Sequence, residues 1–152
     1  MIITLGLVRH GRASGQGPDS DLLPEGAAYV MTLGRRLARD GWRPTAAFTS
    51  PYLRARETAR IVLGELASDL APRVLPELTP DQEPDRALSA LLAHGLDAGR
   101  ALVVGHMPLL GRLADELTDE PVDFYPGTFA EIQLDAAMRR GRLVRAIGPD
   151  QL

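Results

Sequence analysis

Apolar and polar positions alternate along the chain with two periods. Ile2 to Val8 (IITLGLV) is an unbroken run of apolar and β-branched residues, the pattern of a strand buried on both faces. It ends abruptly in Arg9-His10-Gly11, and residues Gly11 to Leu23 form a loop dense in Gly, Ser, Pro and Asp. The period then changes to that of a helix, predicted from Pro24 to a stop at Gly41, with Val30, Leu33 and Leu37 on one face. Thr45 to Ser50 (TAAFTS) is a second strand. From Pro51, PYLRARETARIVLGELA predicts a second helix, with Leu53, Ile61 and Leu66, together with Ala59 and Val62, as its core face. On the same helix Arg56, Glu57 and Arg60 read as solvent-bound.

Arg73 to Leu78 (RVLPEL) is a third extended segment, followed by a proline-broken acidic loop at Pro80 to Pro84 and a helix over about Asp85 to His94. The opening grammar then returns, with a strand at Ala101 to Val104, a turn at Gly105-His106 and a helix from Pro108 to Leu117. FAEIQLD and GRLVRAIG close the chain as two β-like runs joined near Arg139 to Gly141. Strands alternating with helices predict one α/β domain, a three-layer sandwich around a mainly parallel sheet, and the closing pair predicts an antiparallel edge strand. The length of 152 residues and the 45% hydrophobic content suit a single core of that size.

Composition narrows the chemistry. The formal charge of −3 supplies no chain-wide basic footprint for nucleic acid, so any anion site must be local. Cysteine is absent, which removes disulfides, thiolate catalysis and cysteine-bearing zinc sites. All 17 basic residues are arginine, so no lysine is present for Schiff-base chemistry or a Walker-type phosphate loop. The start MIITLGLVRHG has neither the basic opening nor the cleavage site of a signal peptide, and no apolar run reaches membrane-spanning length. A cytoplasmic protein without membrane or nucleic-acid partners is the expectation.

In sheets of this kind ligands bind beyond the carboxyl ends of the strands. Arg9 and His10 follow the first strand, Arg54 opens the helix after the second, and His106 follows the strand at Ala101 to Val104. Glu77 follows the third extended run. Two arginines and two histidines converging on one edge suit a tetrahedral dianion such as a phosphoryl group. Neighbouring positive charge would depress the pKa of His10 and keep it neutral for attack on phosphorus, with His106 donating to phosphoryl oxygens. Each residue also has an ordinary reading. Arg9-His10 can be a loop dipeptide, Arg54 a member of a charged helix face with Glu57 and Arg60, and His106 a satisfied turn histidine. Glu77 is balanced between acid catalyst and solvated carboxylate, while Asp81 and Glu83 read as a solvated loop. His94 reads as a satisfied histidine at a helix end, GQGPDS as a flexible rim, and Ser14 and Thr128 as pocket hydroxyls or ordinary loop donors.

The segments LVRHG, TSPYLRARETA and VVGHMPLLGRL, in this order, resemble the three signature segments of the histidine phosphatase superfamily, which includes the cofactor-dependent phosphoglycerate mutases. LLPEGAAYVMTLGRRLARDG is similar to the family's LTxxG helix, so the resemblance spans most of the chain. It implies a phosphoglycerate mutase-like fold, a transiently phosphorylated nucleophile at His10, and a phosphate pocket of Arg9, Arg54 and His106. It implies no metal or other cofactor, and it puts Glu77 where many members carry a proton donor. The short length and the segments SPYLRARETA, VLPELTP and GHMPLLGRLADEL look most like the SixA-type phosphohistidine phosphatases, with little room for a lid. The expected activity is therefore a phosphohydrolase acting on protein phosphohistidine. A phosphomutase or small-metabolite phosphatase is the alternative, and a non-catalytic phosphate-binding module the third reading. Arg12 departs from the family pattern, which often has an acidic or small polar residue after RHG. With Ser14 it is a candidate substrate contact, or it faces solvent.

Overall fold

The computed structural model describes residues 1–96 and 99–152. Six strands form one sheet: β1 (Ile2–Arg9), β2 (Ala46–Thr49), β3 (Arg73–Val74), β4 (Arg100–Gly105), β5 (Phe129–Asp135) and β6 (Arg140–Ile147). Their order is β3-β2-β4-β1-β5-β6. β1, β2, β3 and β4 pair in parallel, β5 pairs antiparallel with β1, and the edge strand β6 pairs antiparallel with β5. Only β5 runs against the rest, because a short turn makes β6 double back.

Four helices cover the sheet: α1 (Pro24–Arg39), α2 (Leu53–Glu65), α3 (Pro84–Ala93) and α4 (Leu109–Thr118). Proline opens α1 and α3, where its missing N–H costs nothing. Val30, Leu33 and Leu37 of α1 pack with Ala55, Ala59, Val62 and Leu63 of α2 on one side of the sheet. Leu88 and Leu91 of α3 pack with Leu109, Leu110 and Leu113 of α4 on the other. Residues 101–105 of β4 are buried along their length, as a strand covered on both faces requires.

Two sequence expectations shift. The buried stripe of α2 is Arg54, Ala55, Thr58, Ala59, Val62 and Leu63, whereas Leu53 and Ile61 are only half-buried. The helix is rotated so that Arg54 turns inward, toward the carboxyl edge of the sheet. The third extended segment shortens to two residues of β3, and Pro76–Leu78 coil into a 3₁₀ turn. Among the described residues no helix is long and apolar enough to cross a membrane.

Candidate active site

The parallel register brings the ends of two central strands level, with Arg9 of β1 opposite Gly105 of β4, so His10 and His106 emerge side by side. Their ring centroids lie 5.0 Å apart. The loop after His10 is seated on α1, because Gly26 leaves room for the Arg12 backbone where any Cβ would collide with it. The Gly11 N–H donates to Thr58 Oγ1 of α2 at 3.1 Å, and Thr58 in turn donates to the Arg54 carbonyl at 2.8 Å. A cleft of about 530 Å³ opens above these residues. Arg9, His10, Arg12, Tyr52, Arg54 and His106 are among the residues that line it.

The protonation pattern of His10 follows from its partners. Its Nδ1 lies 2.7 Å from the Gly11 carbonyl oxygen, which can only accept, so Nδ1 carries the proton. Arg54 Nε donates toward Nε2 at 3.3 Å, so Nε2 presents its lone pair. Burial is the main force on this ring. The Gly11 bond offsets it in part, the Arg54 and Arg9 charges add to it, and the pKa falls from 6.5 to about 4.

His106 Nε2 is 2.7 Å from Ser50 Oγ, which also accepts the Tyr52 N–H at 3.2 Å. Both Ser50 bonds are satisfied when its hydroxyl donates to Nε2, which leaves the ring proton on Nδ1. That nitrogen is buried without a partner, as is Arg9 Nε. An unpartnered buried donor costs about 1–3 kcal/mol, and both atoms belong to residues that line the cleft. Burial, then the charges on His10, Arg54 and Arg9, lowers the His106 pKa to about 3.

The arginines are held by backbone dipoles. Arg9 Nη1 donates to the Phe124 carbonyl at 2.8 Å, and Arg54 donates to the carbonyls of Gly17 at 2.6 Å and Gln16 at 3.3 Å. Burial lowers the pKa of both guanidiniums, and the Arg54 charge further lowers that of Arg9. Tyr52 supports the group, with its ring 4.9 Å from the Arg54 guanidinium carbon and 4.9 Å from the His106 ring. Two guanidiniums, a ring N–H and a neutral imidazole nitrogen can bind a tetrahedral oxyanion and attack it. Among the described residues no group of three or more His, Asp or Glu side chains is arranged to hold a metal ion.

The structure thus brings Arg9, His10, Arg54 and His106 together, with Arg12 on the wall of the cleft. It does not bring Glu77 or Ser14. The 3₁₀ turn carries Glu77 into a separate depression with Asp85, Arg86 and His94, and the carboxylate that lines the cleft is Asp81. Ser14 Oγ donates to Asp21 at 2.7 Å and braces the loop. Thr128 is buried and accepts the Tyr125 N–H. Glu57, read as solvent-bound, is half-buried and accepts the Leu22 N–H at 2.8 Å, which pins the far end of the same loop. The GQGPDS rim is fastened by Arg54 at Gln16 and Gly17, and His94 caps α3 beside Arg73 at 3.1 Å. The sequence reading does not reach Ser50, Tyr52 and Thr58, and Asp81, read there as part of a solvated loop, lines the cleft. Position next to Arg54 in SPYLR was the one available signal, and it pointed to Ser50 and Tyr52.

Known proteins are similar to this chain to different extents. The family model for the histidine phosphatase superfamily (branch 1) matches residues 5–79, which include Arg9, His10 and Arg54. A 2,3-bisphosphoglycerate-dependent phosphoglycerate mutase from Methylobacterium radiotolerans is 37% identical over 73 residues, 43% of this chain and 34% of that protein. The match thus spans about a third of that curated relative's length. A solved structure of the protein histidine phosphatase SixA complexed with tungstate superposes with a TM-score of 0.87 at 26% identity, covering 97% of both chains. A SixA from Nakamurella multipartitia follows at a TM-score of 0.81 and 25% identity, covering 98% of this chain and 97% of the other. The mycobacterial glucosyl-3-phosphoglycerate phosphatase, at 16% identity and a TM-score of 0.75 over 95% of this chain and 98% of that one, shares the fold. Residues 5–79 are thus similar to the histidine phosphatase superfamily, and 97% of the chain superposes on SixA.

Proposed function

We propose that the protein is a phosphohydrolase that works through a covalent phosphoryl intermediate on His10, and that its preferred substrate is a phosphohistidine side chain of another protein. The observation that carries this reading is the His10 ring itself, with Nδ1–H engaged by Gly11 and the Nε2 lone pair turned to Arg54. A pKa of about 4 leaves that nitrogen unprotonated at neutral pH.

In the first step Nε2 attacks phosphorus in line with the leaving atom. A P–N bond forms as the bond to the leaving group breaks, and the substrate imidazole, already protonated on its other ring nitrogen, departs as neutral imidazole. Arg9, Arg54 and the His106 Nδ1–H receive the charge on the non-bridging oxygens. In the second step water attacks phosphorus, the P–N electron pair returns to Nε2, and inorganic phosphate leaves carrying both protons of the water. Arg12, on the cleft wall, adds a cation that draws anionic substrates in.

The nature of the leaving group supports a phosphoramidate. A protonated imidazole leaves readily, whereas an alkoxide needs a strong general acid. Asp81, the one carboxylate among the residues that line the cleft, is the donor available to an oxygen leaving group. The SixA likeness over nearly the whole chain favours the same substrate class. The phosphoglycerate mutase match favours a second reading, transfer to a second hydroxyl primed by a bisphosphorylated compound.

The test is trapping with a radiolabelled phosphodonor such as phosphoramidate. Wild type should acquire acid-labile, base-stable label, and His10→Ala should acquire none. Equal label on both would remove His10 from the mechanism. Turnover that depends on a bisphosphorylated primer would replace the hydrolase reading with the mutase one.

A further inference from the structure

Beside the cleft lies a second cavity of about 480 Å³, lined by Arg12, Glu25, Tyr29, Tyr125, Pro126 and Pro149. Arg12 and Pro126 also line the cleft, so the two cavities share a rim and form one continuous surface. Its walls are fixed in place. The Tyr29 ring lies against Gly127, whose φ of +84° and lack of a Cβ are both required there. Tyr125 is 56% exposed, yet its backbone N–H and carbonyl are both bonded to Thr128, at 3.0 and 2.9 Å. The preceding carbonyl, that of Phe124, accepts from Arg9. An exposed aromatic ring therefore stands on backbone tied to a phosphate-pocket arginine.

Four buried side-chain polar atoms lack partners among the described residues, and three of them, Arg9 Nε, His106 Nδ1 and Tyr29 Oη, belong to residues that line the cleft or this cavity. The first two belong to residues of the cleft. The Tyr29 hydroxyl is closed off from solvent, so Tyr29 gives the cavity its ring and not a hydrogen bond.

We propose that this second cavity is a docking groove for the polypeptide that flanks the phosphorylated side chain in the substrate protein. The inference rests on the phosphatase reading above and adds how the substrate is held. A substrate anchored by its phosphoryl group has to leave the cleft, and the shared rim at Arg12 and Pro126 is a continuous way out. A small phosphomonoester is accommodated by the cleft alone. A peptide advances about 3.3 Å per residue and reaches both cavities within a few residues. Two tyrosine rings and two prolines offer the flat, amphipathic surface that peptide contacts use, with little side-chain entropy to lose. Arg12, which makes no side-chain hydrogen bond or ion pair among the described residues, stands where the two parts of the substrate would meet.

The experiment uses the full chain carrying His10→Ala, so that bound substrate is not turned over. Calorimetry measures binding of a short peptide with one central phosphohistidine and, separately, of inorganic phosphate. The peptide should bind about tenfold more tightly than phosphate, and Tyr125→Ala should remove most of that difference while leaving phosphate affinity within about twofold. Tyr125→Phe should retain it. Peptide affinity unchanged by Tyr125→Ala, or peptide no tighter than phosphate, would overturn the groove. So would an equal loss for both ligands. Failure of the phosphatase reading shows elsewhere, as absence of acid-labile label on wild type, and leaves this binding measurement interpretable.

Discussion

Two clusters of arginine put the same side chain to opposite uses. Where α1 meets β6, Arg145 binds Asp40 at 2.7 Å and Glu131 at 2.9 Å, and Arg36 joins Asp40 at 3.2 Å. The Arg145 bond holds the Asp40 carboxyl below its usual range, and burial of Arg145 is outweighed by its two carboxylates, which raise its pKa. In the cleft, Arg9 and Arg54 have no carboxylate within 4.0 Å among the described residues and are held by the carbonyls of Phe124, Gln16 and Gly17. A carbonyl fixes the direction of a guanidinium without neutralising it. The first cluster is satisfied as folded, and the second keeps its charge for an anion.

The contrast is broken most sharply by paired substitutions. Arg54→Ala should lower kcat/KM for a phosphorylated substrate by about 10²–10³-fold and leave the melting temperature nearly unchanged, since it also relieves charge crowding around His10. Steady-state kinetics with thermal melts on one preparation read both quantities. A large loss of stability with intact turnover would reverse the assignment.

Acid should expose the crowded cluster next. In the unfolded chain both ring pKa values lie near 6.5, whereas in the fold they lie at about 4 for His10 and about 3 for His106. Across that window the unfolded chain binds more protons, so stability is complete above 6.5 and falls on acidification by about 1.4 kcal/mol per pH unit for each ring. Denaturant midpoints measured from neutral pH to about pH 4.5 should show this slope, and saturating inorganic phosphate should flatten it, because a bound phosphate anion favours the charged rings. A flat profile without phosphate would contradict burial as the main force on these rings.

The carboxylates sharpen the picture further. Asp81→Asn should slow hydrolysis of an alkyl phosphate by about tenfold or more and barely affect a nitrophenyl phosphate, whose leaving group needs no acid. Glu77→Gln should affect neither, as expected from its place in a separate depression. The reverse result would return the donor role to Glu77. Smallest of all, Arg145→Ala should cost about 1 kcal/mol of stability by denaturant titration and leave kcat/KM unchanged.

How much of this was legible beforehand depends on what kind of group carried it. Strand ends were readable from periodicity, so Arg9, His10 and His106 could be put at one sheet edge, and the structure brings them there with Arg54. The helices fell within a residue or two of expectation, as fraying ends allow. Arg54 was readable as a residue, but the rotation of α2 that buries it was not, because Leu53 and Ile61 looked equally able to face the core. The partners that hold the arginines are main-chain carbonyls, which every residue possesses and no pattern marks. Glu77 and Asp81 show the same limit from the other side. Both follow β3, and only the 3₁₀ turn at Pro76–Leu78 decides which of them lines the cleft.

The segment that returns from α4 to β5 bears on how such a site can change over generations. Gly127 donates its N–H to the carbonyls of Arg9 and His10 at 2.9 and 3.1 Å, and Phe124 is locked to Arg9, so the last residues before β5 are moored to the reactive edge. The residues just upstream, Asp119 to Asp123, are mostly exposed. Extra chain inserted there would begin and end at fixed posts beside the cleft while disturbing none of its hydrogen bonds. A descendant of this scaffold could thus acquire a roof over its substrate, and with it a taste for small metabolites, without first dismantling the chemistry underneath.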